Sequence, residues 1–351
     1  MNARRGTAIP LSAWTDPDRC AAETALLRRS WQVAAPADAI PDPGWTPVSL
    51  LGTEVLLTRE GGTVRAFVNA CRHRGVRLAS EAARGSALRC PFHAWTYRLD
   101  GALAHVPSGE GFDQLPAGLR PVRCTVWEGL VWVDLEGAAP PLLDHLGAAG
   151  RDFARLRLGE FTRIDVRSRL VRANWKSVLE IATEPYHVPA VHRRTIGAFT
   201  HPAARFEPHG PHGRVIFELP APPWRRWLDA RALPAWGDWD ETDRTCQVAW
   251  WVFPNLLVNV TPYQMLLVRV EPRGPHRTRL SAWFHRRPDA GLLGRVRGRL
   301  SALASRAIWS EDLALLAELT RGRASADGSA PLHRTLEAAA LHAHRELAQR
   351  L

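Results

Sequence analysis

The sequence predicts an α+β protein built on two antiparallel sheets. Three patterns carry that expectation. From about 45 to 135, short runs are separated by turns: "EVLLTREGGTVRAFVN", "WTYRLDGALAHV" and "TVWEGLVWVDLEG". Such runs, bounded by glycine-bearing turns, read as strands. From about 160, longer strand-like runs follow: "TRIDVRSRLV", "RVIFELP", "QVAWWVFPNLLVNV", "MLLVRVEP" and "TRLSAWFHRR". The chain then turns helical over "ASRAIWSEDLALLAELTRG" and "TLEAAALHAHRELAQRL".

Each element can be placed in order. "DPDRCAAETALLRRSWQ" (16–32) reads as a helix with Asp16 or Asp18 near its start. The proline-rich "APADAIPDPGWTP" marks a boundary, so 1–42 is expected to form an N-terminal helical segment on the second domain. Within 43–150, Glu60-Gly61-Gly62 and Asp100-Gly101 signal hairpins of a small antiparallel β domain, closed by "GAAPPLLDHLGAAG". Residues 151–351 form the second domain. A chain of 351 residues is long enough for two modest domains.

Composition excludes several classes. The 46% hydrophobic content is that of an ordinary globular chain. No run of about 18 apolar residues predicts a membrane helix. The first twenty residues lack an apolar signal core, so a cytoplasmic protein is expected. The net charge is +11, with one lysine, Lys176, and 46 − 1 = 45 arginines. These arginines are scattered, not striped, and read as solvated surface; no nucleic-acid partner is expected. Cys20, Cys71, Cys90, Cys124 and Cys246 are odd in number, which argues against a disulfide framework. Cys20, Cys124 and Cys246 have no histidine at ligand spacing and read as small buried side chains.

Cys71 and Cys90 differ. Residues 71–93, "CRHRGVRLASEAARGSALRCPFH", hold Cys71-x-His73 and Cys90-x-x-His93. A mononuclear zinc site would gather all four donors tetrahedrally. A Rieske [2Fe–2S] cluster takes two thiolates on one iron and two imidazoles on the other. Each loop here supplies one Cys and one His, so each can reach both irons, which favours the cluster. Arg72, Arg74, Arg77, Arg84 and Arg89 surround the motif; they suit either an acidic ferredoxin docking there or plain surface charge.

A second constellation begins in "EIATEPYHVPAVH" (180–192). His187 and His192 are five apart, which on a straight helix turns them about 140° from each other. Pro185 and Pro189 argue against such a helix. A bend at Pro189 is expected to bring His192 back beside His187. In "AIWSEDLALLAEL" (307–319), Ile308, Asp312, Leu315, Leu316 and Leu319 fall within about 100° on a helix. Asp312 thus sits in an apolar stripe, outside which Glu311 and Glu318 fall. A buried carboxylate is costly unless paired or bound to metal. Two histidines and a carboxylate make the facial triad of non-haem iron oxygenases.

The motifs carry a family resemblance. "C-x-H-R-G" and "C-P-[FY]-H-x-W-x-[FY]", with Arg74, Gly75, Pro91, Trp95 and Tyr97, resemble the Rieske fingerprint; Ala94 stands where glycine is usual. "NWK-x3-E-x3-E-x-YH-x4-H" followed by "ED-x5-E-x2-RG" resembles the catalytic domain of Rieske non-haem iron oxygenase α subunits. Asn174, Trp175, Lys176, Glu180, Glu184, Tyr186, Glu311, Glu318, Arg321 and Gly322 belong to that match. The E-x-Y-H pattern is similar to the choline, carnitine and glycine-betaine monooxygenase branch, whereas Ile181 replaces a common asparagine.

The resemblance implies a helix-grip catalytic domain, with the cluster on Cys71, His73, Cys90 and His93 and a mononuclear Fe(II) on His187, His192 and Asp312. It implies O2 as co-substrate and a ferredoxin or flavin reductase as donor, with NAD(P)H acting only through that reductase. It further implies a head-to-tail homotrimer in which Glu184 bridges His187 and His93 of the next chain. Hydroxylation or oxidative dealkylation of a small organic molecule is expected, with cis-dihydroxylation as the alternative. A Rieske carrier without catalytic iron and a zinc hydrolase are the readings of other classes. Phe253, Leu257, Val260, Met265 and Leu267 are candidates for the substrate pocket, with core packing as their other role.

Overall fold

The structure, a computed structural model, describes residues 8–193, 195, 204–218, 238–288 and 292–351. The chain divides into two compact units, Leu27–His145 and Met1–Leu26 with Leu146–Leu351.

The Leu27–His145 unit holds a seven-stranded antiparallel sheet. Its order is Gln32–Pro36, Leu130–Asp134, Pro121–Trp127, Thr63–Val68, Thr53–Glu60, Gly44–Leu50 and Ala83–Arg84. A three-stranded sheet joins Ala87–Arg89, Thr96–Arg98 and Leu103–His105. Three hairpins share one turn chemistry: Leu51 and Gly52 (φ +48° and +79°) close the Leu50–Thr53 pair. Gly61 and Gly62 (φ +56° and +80°) close the Glu60–Thr63 pair, and Glu128 and Gly129 (φ +47° and +69°) close Trp127–Leu130. Two positive φ values in a two-residue loop match the right-handed strand twist. The Asp100-Gly101 turn is bound differently: a Cβ on Gly101 would lie 2.3 Å from the Phe67 ring.

The strand Gln32–Pro36 corrects the expected domain start at 43. Its five residues are all buried, and it pairs with Leu130–Asp134, so this unit begins at Leu27. The helix expected over 16–32 ends correspondingly early and spans Pro17–Arg28. "VAA" is too small and short an apolar run to announce a strand; the partner strand makes it one.

The other unit is a seven-stranded antiparallel sheet. Its order is Thr162–Val171, Thr278–Arg286, Gln264–Pro272, Leu256–Val260, Cys246–Val252, His212–Glu218 and Ala204–His209. Three helices, Trp175–Thr183, Leu292–Ala324 and Ala338–Ala348, pack on one face of it. This is the expected α+β arrangement of sheet and gripping helices. The long helix starts well before the expected "ASRAIW" pattern, and the Ala204–His209 strand had no clear sequence signal. Among the described residues no helix is long and apolar enough to cross a membrane.

Candidate metal centres

The helix Trp175–Thr183 positions the first two histidines. Asn174 caps its start: the Asn174 side chain accepts from the Lys176 N–H at 3.0 Å. The helix is anchored by buried charges. Lys176 Nζ donates to Glu23 Oε2 at 2.5 Å, and Trp175 Nε1 donates to the same oxygen at 2.7 Å. Burial pushes the Lys176 ammonium below its usual range against the pull of Glu23. One turn on, Glu180 Oε1 accepts from Trp14 Nε1 at 2.6 Å and from His344 Nε2 at 2.7 Å, and Arg323 lies 3.4 Å from Oε2.

Glu184 ends this helix in an extended conformation (φ −120°, ψ 142°), with Pro185 next. The break therefore falls at Glu184–Pro185, not at Pro189 as the spacing argument expected. Pro189 instead sits in the first turn of a short helix, Val188–Val191, where its missing N–H costs nothing. His187 and His192 are the two flanking positions of that single turn. Five residues is thus a fitting separation: one turn lies between the rings, and both fold back to the same side.

The Nε2 atoms of His187 and His192 are 3.2 Å apart. Asp312 Oδ1 lies 2.9 Å from His192 Nε2 and 3.5 Å from His187 Nε2. An ion with bonds of about 2.1 Å holds neighbouring donors about 3.0 Å apart in an octahedron and about 3.4 Å in a tetrahedron. The triangle matches one such ion bound on a face. Asp312 is 6% exposed and its Oδ1 makes no hydrogen bond, as suits an atom aimed at a cation. The helical stripe is shifted from expectation: Leu316 is buried with Asp312, whereas Leu315 is 37% exposed.

Each ring is also held from behind. Glu184 Oε1 accepts from His187 Nδ1 at 2.5 Å, and its Oε2 accepts the His187 N–H at 3.2 Å. Glu311 Oε2 accepts from His192 Nδ1 at 2.6 Å and from the Thr195 hydroxyl at 2.8 Å. A carboxylate on Nδ1 keeps the proton there and turns the Nε2 lone pair to the metal. The field favours positive charge. Burial disfavours the His187 imidazolium, yet Asp312 and Glu184 outweigh it and raise this group to about 9. The part played by Glu311 escaped the sequence reading, which placed it off the apolar face; the signal available was its adjacency to Asp312.

In the other unit, two loops are built alike. The Gly75 N–H donates to the Cys71 carbonyl at 2.9 Å, and the Ala94 N–H donates to the Cys90 carbonyl at 3.1 Å. Gly75 and Ala94 both have positive φ, +77° and +57°. Cys71 and Cys90 are buried in a core with Trp95 and Tyr97. The Tyr97 hydroxyl lies 3.3 Å from Cys71 Sγ and accepts the Arg72 N–H. His73 and His93 have ring centroids 4.7 Å apart; His73 stacks on Trp95, and its Nδ1 is buried without a partner. Among the described residues, only His187, His192 and Asp312 bring three such ligand atoms within 4.8 Å of one another. Cys71, His73, Cys90 and His93 are not gathered in that way, and one Cys with one His on each of two like loops is the donor arrangement a two-iron group takes. Arg72, Arg74, Arg77, Arg84 and Arg89 are all exposed.

Residues 153–351 match the family model of the ring hydroxylating alpha subunit (catalytic domain), more than half of the chain. The chain belongs to the ring-hydroxylating alpha subunit family. Residues 30–116 match the Rieske [2Fe-2S] domain as well. The cofactors of this family member are accordingly a Rieske cluster and a catalytic non-haem iron. It is 34% identical over 200 residues to the glycine betaine monooxygenase oxygenase subunit of Chromohalobacter salexigens, a match covering 55% of this chain and 45% of that one. The chain spans about half the length of the curated relatives it matches. In fold it is similar to a quaternary ammonium Rieske monooxygenase, with a TM-score of 0.84 at 17% identity over 99% of this chain and 97% of that one. Naphthalene 1,2-dioxygenase from Rhodococcus gives a TM-score of 0.80 at 21% identity over 98% and 94%.

A pocket of about 110 Å³ adjoins the triad. Ile181, Ile308, Trp309 and Phe217 form apolar walls, and Gln247 and Asn259 supply amides. The five pocket candidates from the sequence, Phe253, Leu257, Val260, Met265 and Leu267, do not line it and are buried core. Apolar character singles out those five, whereas the pocket takes the polar Asn259 from the same strand as Leu257 and Val260. Ile181, whose place in the motif had no account, is part of the wall beside His187.

Proposed function

We propose that this chain is the terminal oxygenase component of a Rieske non-haem iron system, which uses O2 to hydroxylate or oxidatively dealkylate a small organic molecule. The observation that carries the reading is the triangle of His187 Nε2, His192 Nε2 and Asp312 Oδ1, each histidine backed by its own carboxylate. The donor set fits a mononuclear iron, held by these three residues. Cys71, His73, Cys90 and His93 would hold the cluster. When bound, the iron supplies oxygen activation and the cluster supplies single electrons. The chain's own residues orient and exclude: Glu184 and Glu311 fix the rings, Ile181, Phe217 and Trp309 keep water from the metal face, and Gln247 and Asn259 offer hydrogen bonds to a polar group of the substrate.

The similarity to a glycine betaine monooxygenase subunit supports monooxygenation or dealkylation. The electron donor would be a ferredoxin or flavin reductase. A head-to-tail homotrimer is part of the reading, with Glu184 linking His187 to His93 of the partner subunit. A cytoplasmic setting is part of the reading, since an odd set of five cysteines argues against a disulfide framework. The test is metal and sulfide analysis of purified protein, followed by product analysis with labelled O2 over a panel of small amines and aromatics. About three irons and two labile sulfides per chain, with label in the product, are expected. Zinc in place of iron, or two irons and no turnover on any substrate, overturns the proposal.

A further inference from the structure

A second cavity, of about 300 Å³, lies in the same sheet-and-helix unit. Leu266 and Val268 on one strand pair with Phe284 and Ala282 on the next. Alternation puts all four on one face of the sheet, beneath the helix Leu292–Ala324, whose Leu313 closes the apolar wall. Its size is at the lower end of small-molecule sites. Trp309 lines both this cavity and the pocket beside the triad.

The polar side of the cavity is cationic. Arg167 and Arg169, from the edge strand Thr162–Val171, and Arg306, from the helix, all line it. Arg167 Nε is 2.9 Å from Asp165 Oδ2, and Arg306 contacts the same oxygen. One carboxylate is thus shared by two guanidiniums. The Arg169 side chain makes no hydrogen bond or ion pair among the described residues. An apolar chamber with an uncommitted guanidinium at its edge is complementary to an apolar molecule bearing one anionic end, and the planar fork of arginine suits a carboxylate in particular.

We propose that this cavity is a binding site for an apolar monocarboxylate, its hydrocarbon body against Leu266, Val268, Ala282, Phe284 and Leu313 and its carboxylate on Arg169. The site goes beyond the metal-centre reading and does not depend on it. Its test is calorimetric titration of the iron-loaded holoenzyme with decanoate, decanol and decyltrimethylammonium. Decanoate is expected to bind one-to-one, about tenfold or more tighter than decanol. Arg169→Ala should cost decanoate about tenfold and leave decanol unchanged. Arg169→Glu should reverse the preference towards decyltrimethylammonium. Ala282→Leu, which fills the chamber, should weaken both decanoate and decanol. Thermal melts show which variants fold, and exposed Arg169 tolerates both substitutions without loss of packing. Equal binding of decanoate and decanol to the wild type overturns the proposal. So does wild-type decanoate affinity in both Arg169 variants.

Discussion

Glu311 and His192 are joined through Oε2 and Nδ1 at 2.6 Å, while Asp312, the next residue of the same helix, lies 2.9 Å from the other nitrogen of that ring. Two consecutive carboxylates thus clamp one imidazole. Successive helical positions are about 100° apart, so the pair straddles the ring, one facing the metal position and one behind it. His192 is 1% exposed, which leaves the ring no freedom to turn.

Removing the outer half of that clamp should loosen the iron and spare the cluster. Glu311→Ala is expected to weaken iron binding about 10- to 100-fold, the usual cost of losing a carboxylate behind a metal-bound histidine. Competition with a chelator measures it, with labile sulfide as the control. Unchanged iron affinity would show that the contact is incidental.

Glu184→Gln tests the proposed bridge. Both metals are expected to remain, because the three donor atoms at the iron are untouched. Product formation coupled to the electron donor should collapse. Full activity with full metal content removes Glu184 from the electron path.

Ala94 adopts the left-handed backbone that Gly75 adopts in the companion loop. An L-residue pays about 1–2 kcal/mol for that conformation, and part of the gain on removing it returns as glycine's greater unfolded freedom. Ala94→Gly should therefore stabilise the Leu27–His145 unit by about 1 kcal/mol. A higher melting midpoint of the cluster's visible absorbance is the readout; a lower one contradicts the strain.

Acid stability should depend on Glu180. Burial opposes its ionisation, but His344, Arg323 and Trp14 prevail and lower it from 4.5 to about 2. A group depressed in the folded state gives stability that is complete above its unfolded value and is lost as pH falls through the folded one. The window here runs from about 4.5 down to about 2, and at 1.36 kcal/mol per unit the contribution is on the order of 3 kcal/mol. Urea denaturation from about pH 5 to pH 3 should show a shallower decline for Glu180→Gln than for wild type, from a lower starting stability. Parallel curves would argue against the ion-paired state.

Ile181→Asn places an amide in the apolar wall next to His187. Iron content should hold, while product formed per O2 consumed should fall as water enters. The ratio of peroxide released to product reports it; an unchanged ratio means the wall at 181 does not govern hydration.

The candidate donors are legible because their chemistry is local: a Cys and a His on each of two short loops, and Asp312 against an apolar stripe. What surrounds them was less so. Glu311 looks like a solvated helix face until the chain brings His192 to it from more than a hundred positions away. The sequence points to Pro189 for the bend because a proline between two histidines is the obvious breaker; its place in a first turn shows only once Glu184 is seen to leave the helix. The pocket went unread for a related reason. Its Asn259 is a single polar letter in an apolar strand, and which face that strand turns to the metal is set by pairing register, not by composition. Gln32–Pro36 became a strand only through Leu130–Asp134. Turns, by contrast, were announced by their own residues, as at Gly61-Gly62 and Gly101.

Lys176, paired with Glu23 and 2% exposed, has a practical corollary, because no other lysine exists in the sequence. A lysine-specific protease has a single peptide bond to cut, and that bond sits at the head of the helix leading to His187. It can be reached only when the Glu23 contact opens. The rate of that one cut is therefore a clock for breathing of the iron-side unit, readable on a gel without labels or engineering, and it should slow when iron binds.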